Sequence, residues 1–261
     1  MSSATTAQAS EEAKDRAATL RNRARLSANR NLLFWYRELY GDQFKDFPDP
    51  ALLSILEIGS GTSPLKQFHS NIVTSDILDL DYLDLVFDCH KIDKLDAIED
   101  KSLEVITLTN VLHHLKSPVA FLNCAAAKLK GGGKVIATEP FFSVLSTVIF
   151  KYLHHEPVDF RIPEPELDEV QGPLASANIA LPWLIFFQRR DWLQRLNENF
   201  DVAGLSVRPF SALSYMITGG ISHKLPIPSF LYRAMFPIDL ALSRYFPRLC
   251  ASFFTLTLTR R

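Results

Sequence analysis

The sequence predicts an α/β protein in which helices cover both faces of a doubly wound, mostly parallel, seven-stranded sheet. Between residues 53 and 140, short apolar runs alternate with helical stretches, a rhythm typical of parallel strands joined by helical crossovers. Two further strand-like runs lie near the end of the chain. Of the 261 residues, 47% are hydrophobic, so the chain can bury the core that such a sheet needs.

The first 45 residues are expected to form a tail and one helix. Residues 1–10 are small and polar, which predicts disorder. Residues 11–40 contain strong helix formers with apolar residues at helical spacing, and Gly41 is expected to end this helix. One helix face is rich in arginine and includes Arg23. We interpret this face as solvated, with attraction to an anionic surface as the alternative.

Five strands are predicted in the region that we expect to form the core, residues 46–140. They cover residues 53–58, 71–75, 85–88, 103–109 and 134–138. A helix is predicted over residues 118–130, followed by a turn at the glycines 131–133.

Two inserts are expected after this core. The first, residues 141–199, is aromatic and contains prolines, and we expect a mostly helical lid that folds over the mouth of the site. The last two strands are predicted over residues 200–207 and 252–259, with a second insert at about 210–250 between them.

Composition excludes several classes of function. A net charge of -1 gives no reason to expect nucleic acid as the main partner. Cys89, Cys124 and Cys250 are odd in number and far apart, which argues against a disulfide framework and against structural zinc. The first residues lack a basic start followed by an apolar stretch, so we expect a cytoplasmic protein. The sequence does not predict an oligomeric state.

The strongest local pattern is a glycine loop after the first predicted strand. The strand carries Glu57, and Gly59 and Gly61 then permit a tight turn and close approach of the backbone to a ligand. Ser63 is expected to cap a helix that begins at Pro64, whose N-terminus would offer free N–H groups. Pro64 also stands where a dinucleotide fingerprint requires its third glycine, which counts against a nicotinamide cofactor.

Polar residues follow the next predicted strands as well. Asp76 ends the second strand, Asp88 ends the third and Asn110 follows the fourth. Ligands of open α/β sheets bind outside the carboxyl ends of the strands, so these residues and Glu57 are expected to converge on one cofactor.

With these residues in place, the sequence resembles the class I S-adenosylmethionine-dependent methyltransferases, particularly the large group with a small-molecule methyltransferase domain. The resemblance extends over roughly residues 52–140, in the motifs EIGSGTS, TSDI, FDCHKI, LTNVLHHL and LKGGGKVIATEP. It implies a Rossmann-like fold and S-adenosylmethionine as the cofactor. A serine, Ser63, stands where the glycine motif often has a third glycine.

The resemblance also implies roles for the residues of these motifs. Glu57 and the loop Gly59, Ser60 and Gly61 would hold the methionine end of the cofactor, and Asp76 would hold the ribose hydroxyls. For the adenine, the implied contacts are the side chain of Asp88 and the backbone of Cys89. The backbone carbonyl of Asn110 would lie near the amino group.

Histidines and a glutamate are the candidates for catalysis, because methylation of an oxygen needs a proton acceptor. His113 precedes His114 at the carboxyl edge of the sheet, and we expect at most one of the two to face the pocket. His155 and Glu156 belong to the motif HHEPVD in the first insert. Structural roles for all of these are the alternative. We predict no metal site, because HHE lacks a second, spaced set of ligands.

The inserts are rich in aromatic residues, which indicates either a hydrophobic, lipid-linked acceptor or a lid that packs on itself. Residues 226–248 add Arg233, Arg244 and Arg248 to bulky apolar residues. This pattern predicts either snorkelling arginines in a soluble enzyme or peripheral contact with the inner face of a membrane. The function that we predict is O-methylation of a small or lipid-linked molecule. The alternatives are a degenerate methyltransferase fold that acts as a binding or scaffold protein and, less favoured, a Rossmann oxidoreductase.

Overall fold

The computed structural model describes residues 2–261 except 153, 155, 168–171, 173–175 and 222, with side chains from residue 11 onward. Its strands are β1 (Ile55–Ile58), β2 (Ile72–Asp76), β3 (Leu85–Val86), β4 (Leu103–Thr109), β5 (Leu129–Pro140), β6 (Ser206–Phe210) and β7 (Phe253–Thr259). They form one sheet in the order β3-β2-β1-β4-β5-β7-β6. The first five are parallel, and β7 runs antiparallel to both β5 and β6. The predicted fold class is confirmed.

The N-terminal segment forms two helices where the sequence predicts one. Helix α1 (Ser2–Ala28) begins earlier than the composition predicts, and α2 (Arg30–Phe44) follows it. The break is at Asn29, which has extended backbone angles and accepts a hydrogen bond from the N–H of Leu32 on its side-chain oxygen. Its side-chain amide donates to the carbonyl of Thr218. Gly41 does not end α2 but lies inside it.

The remaining helices are short, apart from α9. They are α3 (Leu65–Phe68), α4 (Pro118–Ala125), α5 (Val144–Tyr152), α6 (Ala180–Trp183), α7 (Arg190–Gln194), α8 (Ser214–Ile217), α9 (Ser229–Tyr245) and α10 (Pro247–Cys250). In the described part of the chain, no helix is both long and apolar enough to cross a membrane.

Two predicted elements differ from the structure for local reasons. The helix expected over residues 118–130 ends at Ala125, and the three glycines expected as a turn lie within β5. The register between β4 and β5 shifts at this point, and Gly132 accommodates the irregularity with a positive φ of 78°. The strand expected over residues 200–207 begins only at Ser206, because a turn closed by Asp201 and Gly204 precedes it.

Two hydrophobic clusters cover the two faces of the sheet. Ile106 packs with Leu122 of α4 in one cluster, while the next residue of the chain, Val105, packs with Trp35 of α2 in the other. Neighbouring residues of a strand point to opposite faces, so a strand that is buried on both sides reads as a continuous apolar run. The sheet is therefore covered on both sides, as predicted.

A buried carboxylate connects α2 to the C-terminal part of the chain. Asp42 pairs with Nε of Arg208 on β6 at 3.2 Å and with Nη2 of Arg244 on α9 at 2.9 Å. Its backbone carbonyl also accepts a hydrogen bond from Arg208. The contacts fix α2 against β6 and α9.

We predict that Asp42→Ala lowers the free energy of unfolding by roughly 1.5–3 kcal/mol, because it removes charged hydrogen bonds from partly buried arginines. The matched control is Asp46→Ala, which removes the exposed partner of Arg208 and should cost less than about 1 kcal/mol. Urea denaturation measures both. Equal losses in the two variants would contradict the role given to Asp42.

Candidate active site

The glycine loop after β1 closes over the buried carboxylate of Glu57. Ser60 Oγ donates to Glu57 Oε2 at 2.7 Å, and Ser63 Oγ donates to the other carboxylate oxygen. Gly59 has a φ of 75°, and a Cβ at this position would lie 2.4 Å from the side chain of Val111. Only glycine satisfies both constraints, so the turn depends on Gly59.

Gly61 brings the loop against the end of β2. Its N–H donates to Asp76 Oδ2 at 2.9 Å, and Asp76 Oδ1 accepts from the N–H of Leu78. A Cβ on Gly61 would lie 2.9 Å from that carboxylate and 2.8 Å from the side chain of Thr19. Burial raises the pKa of Asp76, while the backbone N–H groups oppose the rise.

The N-terminal helix covers this loop, which the sequence did not predict. Arg23 of α1 donates to the carbonyl of Ser63 at 3.1 Å, and its guanidinium lies 4.0 Å from the centre of the Tyr82 ring. Tyr82 in turn donates to the carbonyl of Gly61 at 2.6 Å. Thr19 of α1 is buried on the side of the helix that faces the loop. Arg23 is therefore not simply solvated, whereas the other arginines of this helix face are exposed, as a solvated face requires: Arg16, Arg21, Arg25 and Arg30.

The environment of Glu57 favours its protonated form. Burial raises its pKa to about 7, although hydrogen bonds from Ser63 and Ser60 and the charge of Arg23 oppose the rise. The charge of Asp76 adds to it. A bound cation would favour the ionised form, so Glu57 suits the ammonium group of an amino acid.

The residues expected around an adenine lie after β3. Asp88 Oδ1 accepts from the N–H of His90 at 3.0 Å. Partial burial would raise the pKa of Asp88, but the hydrogen bonds from His90 hold it below its usual value. Burial raises the pKa of the neighbouring Cys89 thiol to about 12, so this residue offers a neutral side chain beside a carboxylate.

Asn110 follows β4 in the left-handed region, with a φ of 56°. Its N–H donates to the carbonyl of Thr138, while its side-chain Oδ1 is buried with no hydrogen-bond partner among the described residues. Ile58 of β1 pairs with Ser75 of β2 and Leu108 of β4, so the polar residues that follow these strands lie at one edge of the sheet. The convergence expected from the sequence is present.

A second group of charged residues lies at the end of β5. Glu139 is fully buried, and Oε1 of its carboxylate accepts from the N–H groups of Val111 and Leu112. Its other oxygen lies 2.5 Å from Nδ1 of His113. Sequence analysis missed Glu139, although its position at a strand end is the same signal that identified Asp76.

Glu156 reaches both histidines of the NVLHHL motif. Its carboxylate lies 3.4 Å from Nε2 of His113 and 3.7 Å from Nε2 of His114. Both rings therefore contact the same carboxylate, although we expected at most one of them to face the pocket. The two rings lie side by side at 4.3 Å, and Nδ1 of His114 is held by the carbonyl of Ser176 at 2.9 Å. We refer to His113, His114, Glu139 and Glu156 as the histidine cluster. His155, the other catalytic candidate, lies outside the described residues.

Charges within the histidine cluster are strongly coupled. Burial alone would lower the pKa of His113, but the carboxylates of Glu139 and Glu156 raise it to about 10. Burial and the charge of His113 lower the pKa of His114 to about 4. Burial opposes ionisation of Glu156, yet its contacts with His113 lower its pKa to about 2. At neutral pH, Glu156 is thus ionised, and its side chain is also partly exposed to solvent.

Two buried phenols are in electrostatic range of the loop and of the histidine cluster. Burial, then Tyr215 and the charge of Glu57, raise the pKa of Tyr36 well above its usual value. Burial and the charge of Glu156 raise the pKa of Tyr215 to about 12. Both phenols are therefore neutral near pH 7.

The residues at the strand ends fit the cofactor that the resemblance implies. The buried Glu57 matches an ammonium group, and the partly buried Asp76 matches ribose hydroxyls. The Oδ1 of Asn110, without a partner in the described chain, can accept one more hydrogen bond.

Residues 11–203 match a family described as a methyltransferase domain. No sequence of a curated protein matches the chain. Among solved structures, the chain is similar to a SAM dependent methyltransferase from Archaeoglobus fulgidus, with 14% identity over 86% of this chain and 94% of that one and a TM-score of 0.47. A putative methyltransferase from Bacillus halodurans has 13% identity, 84% and 97% coverage and a TM-score of 0.41. A putative sarcosine dimethylglycine methyltransferase from Galdieria sulphuraria has 10% identity, 87% and 86% coverage and a TM-score of 0.43.

We predict that S-adenosylhomocysteine binds roughly eightfold more weakly at about pH 6 than at about pH 7.5, because protonation of Glu57 removes the charge that attracts the ligand's ammonium group. Calorimetry measures the dissociation constants. Glu57→Gln should bind weakly at both pH values. The control is Asp76→Asn, which should weaken binding and retain the pH dependence. A pH dependence that persists in Glu57→Gln would contradict the assignment.

Proposed function

The chain belongs to the methyltransferase domain family and is an S-adenosylmethionine-dependent methyltransferase, and we propose that its acceptor is a hydroxyl group of a hydrophobic, lipid-linked molecule at a membrane surface. The observation that carries the proposal is the exposed apolar face formed by three helices beside the acceptor side of the site.

S-adenosylmethionine supplies a methyl group on a sulfonium, already activated for in-line displacement. The protein has to bind it, align the acceptor, exclude water and remove a proton. The residues that we propose to hold the cofactor are Glu57, Gly59, Ser60, Gly61, Asp76, Asp88, Cys89 and Asn110.

Helices α5, α9 and α10 present large apolar side chains to solvent. Phe230 and Tyr245 of α9 are 78% and 81% exposed, and Tyr152 of α5 is 77% exposed. Leu249 of α10 is also exposed, and α10 contacts both α5 and α9, so the three helices that carry these side chains are neighbours. We refer to the exposed apolar side chains of these helices as the apolar face. Soluble monomers rarely expose a contiguous apolar patch of this kind without a binding role.

Basic residues accompany the apolar face. Arg233, Arg248 and Lys151 are exposed on the same three helices, and Arg244 of α9, which pairs with Asp42, is partly exposed there. Bulky apolar residues combined with arginines suit an anionic lipid surface, where the apolar side chains insert and the cations meet headgroups. We propose contact with the inner leaflet, which carries the anionic lipid of a cell membrane.

The apolar face and the acceptor side of the site are connected by consecutive segments of the chain. Strand β5 ends beside Glu139, α5 follows it directly, and the segment after α5 returns to the histidine cluster at Glu156. A lipid-linked acceptor that approaches along α5 would therefore meet Glu156. An apolar cavity of about 170 Å³ between α8 and α9 adds room for a short hydrocarbon segment.

Glu156 is the residue that we propose to receive the acceptor proton. It is ionised at neutral pH, lies in a largely buried cluster and keeps a side chain that is 19% exposed. Nε2 of His113 contacts the carboxylate of Glu156, while Glu139 fixes the ring of His113 through Nδ1. As the methyl group is transferred, the carboxylate of Glu156 takes up the proton of the acceptor oxygen, while protonated His113 keeps this carboxylate in position.

We predict that the protein binds phosphatidylglycerol vesicles and not phosphatidylcholine vesicles in a flotation assay. Phe230→Ser combined with Leu249→Ser should abolish binding, because both side chains leave the apolar face. Arg233→Ala combined with Arg248→Ala should weaken it roughly 30-fold, since each surface cation contributes about 1 kcal/mol.

The matched control is Leu52→Ser, which removes an exposed leucine before β1, away from the three helices, and should leave binding unchanged. Equal binding to both kinds of vesicle would overturn the membrane proposal. So would a dimer in size-exclusion chromatography that the Phe230 and Leu249 substitutions dissociate, because the apolar face would then cover a second copy.

For the chemical step, we predict that Glu156→Gln lowers turnover about 10²- to 10⁴-fold while the affinity for S-adenosylhomocysteine changes less than about twofold. Turnover is measured as transfer of tritiated methyl groups from S-adenosylmethionine to a total lipid extract. Glu166→Gln, which changes an exposed acid of the same insert, should retain full activity. Wild-type turnover in Glu156→Gln would remove this residue from the reaction.

A further inference from the structure

Three potential ligand atoms of the histidine cluster converge on one point. They belong to His113, His114 and Glu156 and lie within 4.8 Å of one another. The residues come from two segments that β5 and α5 separate along the chain, so no short sequence motif contains them. Among the described residues of the HHE at 154–156, which we set aside as a metal motif, the glutamate belongs to this group.

The two imidazole rings are oriented as metal ligands usually are. In each ring Nδ1 is engaged from outside the group, by the carboxylate of Glu139 in His113 and by the carbonyl of Ser176 in His114. In each ring Nε2 is turned toward Glu156. Metal-binding histidines almost always donate their second ring N–H to a carboxylate or a backbone carbonyl, which fixes the tautomer and the orientation of the ring.

Two of the separations are close to those of a coordination polyhedron. Zinc binds imidazole nitrogen and carboxylate oxygen at about 2.0–2.2 Å, which places the ligand atoms of a tetrahedral site about 3.3–3.6 Å apart. Oε2 of Glu156 lies 3.4 Å from Nε2 of His113, and Oε1 lies 3.7 Å from Nε2 of His114. Because one ligand atom from each residue lies within 4.8 Å of the other two, an ion between them requires Glu156 and His114 to move closer, and both side chains keep partial access to solvent.

We propose that Nε2 of His113, Nε2 of His114 and the carboxylate of Glu156 bind one divalent transition-metal ion, for which zinc is the best match. Imidazole ligands favour zinc and other late transition metals, whereas magnesium and calcium prefer sites built from oxygen alone. Two histidines and one carboxylate leave the fourth position open, as in catalytic rather than structural zinc sites.

An open position gives the ion a use in the reaction. A hydroxyl group bound there would have a lowered pKa and would release its proton to solvent more readily, so that the ion would replace Glu156 as the activating group. This part of the inference rests on the proposed function. Binding of the ion does not, because the ligands are held by the protein alone.

A second potential set of ligands, Asp88, Cys89 and His90, is less suited to an ion. The three residues are consecutive, and Asp88 Oδ1 already accepts a hydrogen bond from the N–H of His90 and lies 3.0 Å from its ring. It provides a control within the same chain.

The test uses the full-length protein, stripped with a chelator and without methyl donor or acceptor. Titration with Zn²⁺ in a calorimeter should give one equivalent, and Co²⁺ in its place should give a visible ligand-field band of a four- or five-coordinate site. His114→Gln and Glu156→Gln should each weaken Zn²⁺ binding at least about 100-fold. Glu139→Gln, which leaves all three ligands in place, should weaken it about 10- to 100-fold.

His90→Ala should bind Zn²⁺ as the wild type does, and circular dichroism of each metal-free variant checks that it folds. The proposal is overturned if the wild type binds no stoichiometric Zn²⁺. It is also overturned if binding survives in folded His114→Gln and Glu156→Gln, or is lost only in His90→Ala. These titrations use neither vesicles nor methyl donor nor acceptor, so a failure to bind Zn²⁺ is measured separately from vesicle binding and from methyl transfer, which test the proposed function.

Discussion

Parallel pairing of β1 with β2 on one side and β4 on the other is the constraint on which the site depends. Parallel neighbours end at the same edge of a sheet, so Glu57, Asp76 and Asn110 meet there although they are far apart in the sequence. Each crossover must leave the sheet at this edge. The backbone that turns there provides the positive φ angles of Gly59 and Asn110 and the N–H groups that surround the carboxylates.

The same edge buries Glu57, His113 and Glu139, and each of these groups has a defined partner. Ser60 and Ser63 satisfy Glu57, and two backbone N–H groups with His113 satisfy Glu139. Buried carboxylates cost several kcal/mol when they are left unpaired, so these hydrogen bonds hold the loops in one arrangement. The cofactor loop and the histidine cluster are therefore rigid before any ligand arrives.

Local patterns were sufficient for the sheet and for the cofactor side of the site. Strand composition, glycines that require a turn and acids at strand ends are properties of neighbouring residues, and the position of Asp76 followed from them. Contacts between distant segments were not predictable in this way. Asn29, where the first helix breaks, also donates a hydrogen bond to the carbonyl of Thr218. Arg23 contacts the glycine loop forty residues later in the chain. Glu156 contacts His114 only because the insert folds back onto the sheet edge.

Helix α1 lies directly on the glycine loop, with Thr19 buried against Gly61 and Arg23 bound to the carbonyl of Ser63. A molecule bound between α1 and that loop would exchange with solvent only while α1 is lifted. The measured affinity for such a molecule would then include the free energy of lifting α1 from the loop. The residence time of the cofactor after it has lost its methyl group would follow the rate at which α1 detaches. Residues far from the reacting atoms, at the start of the chain, would thereby set the pace of turnover.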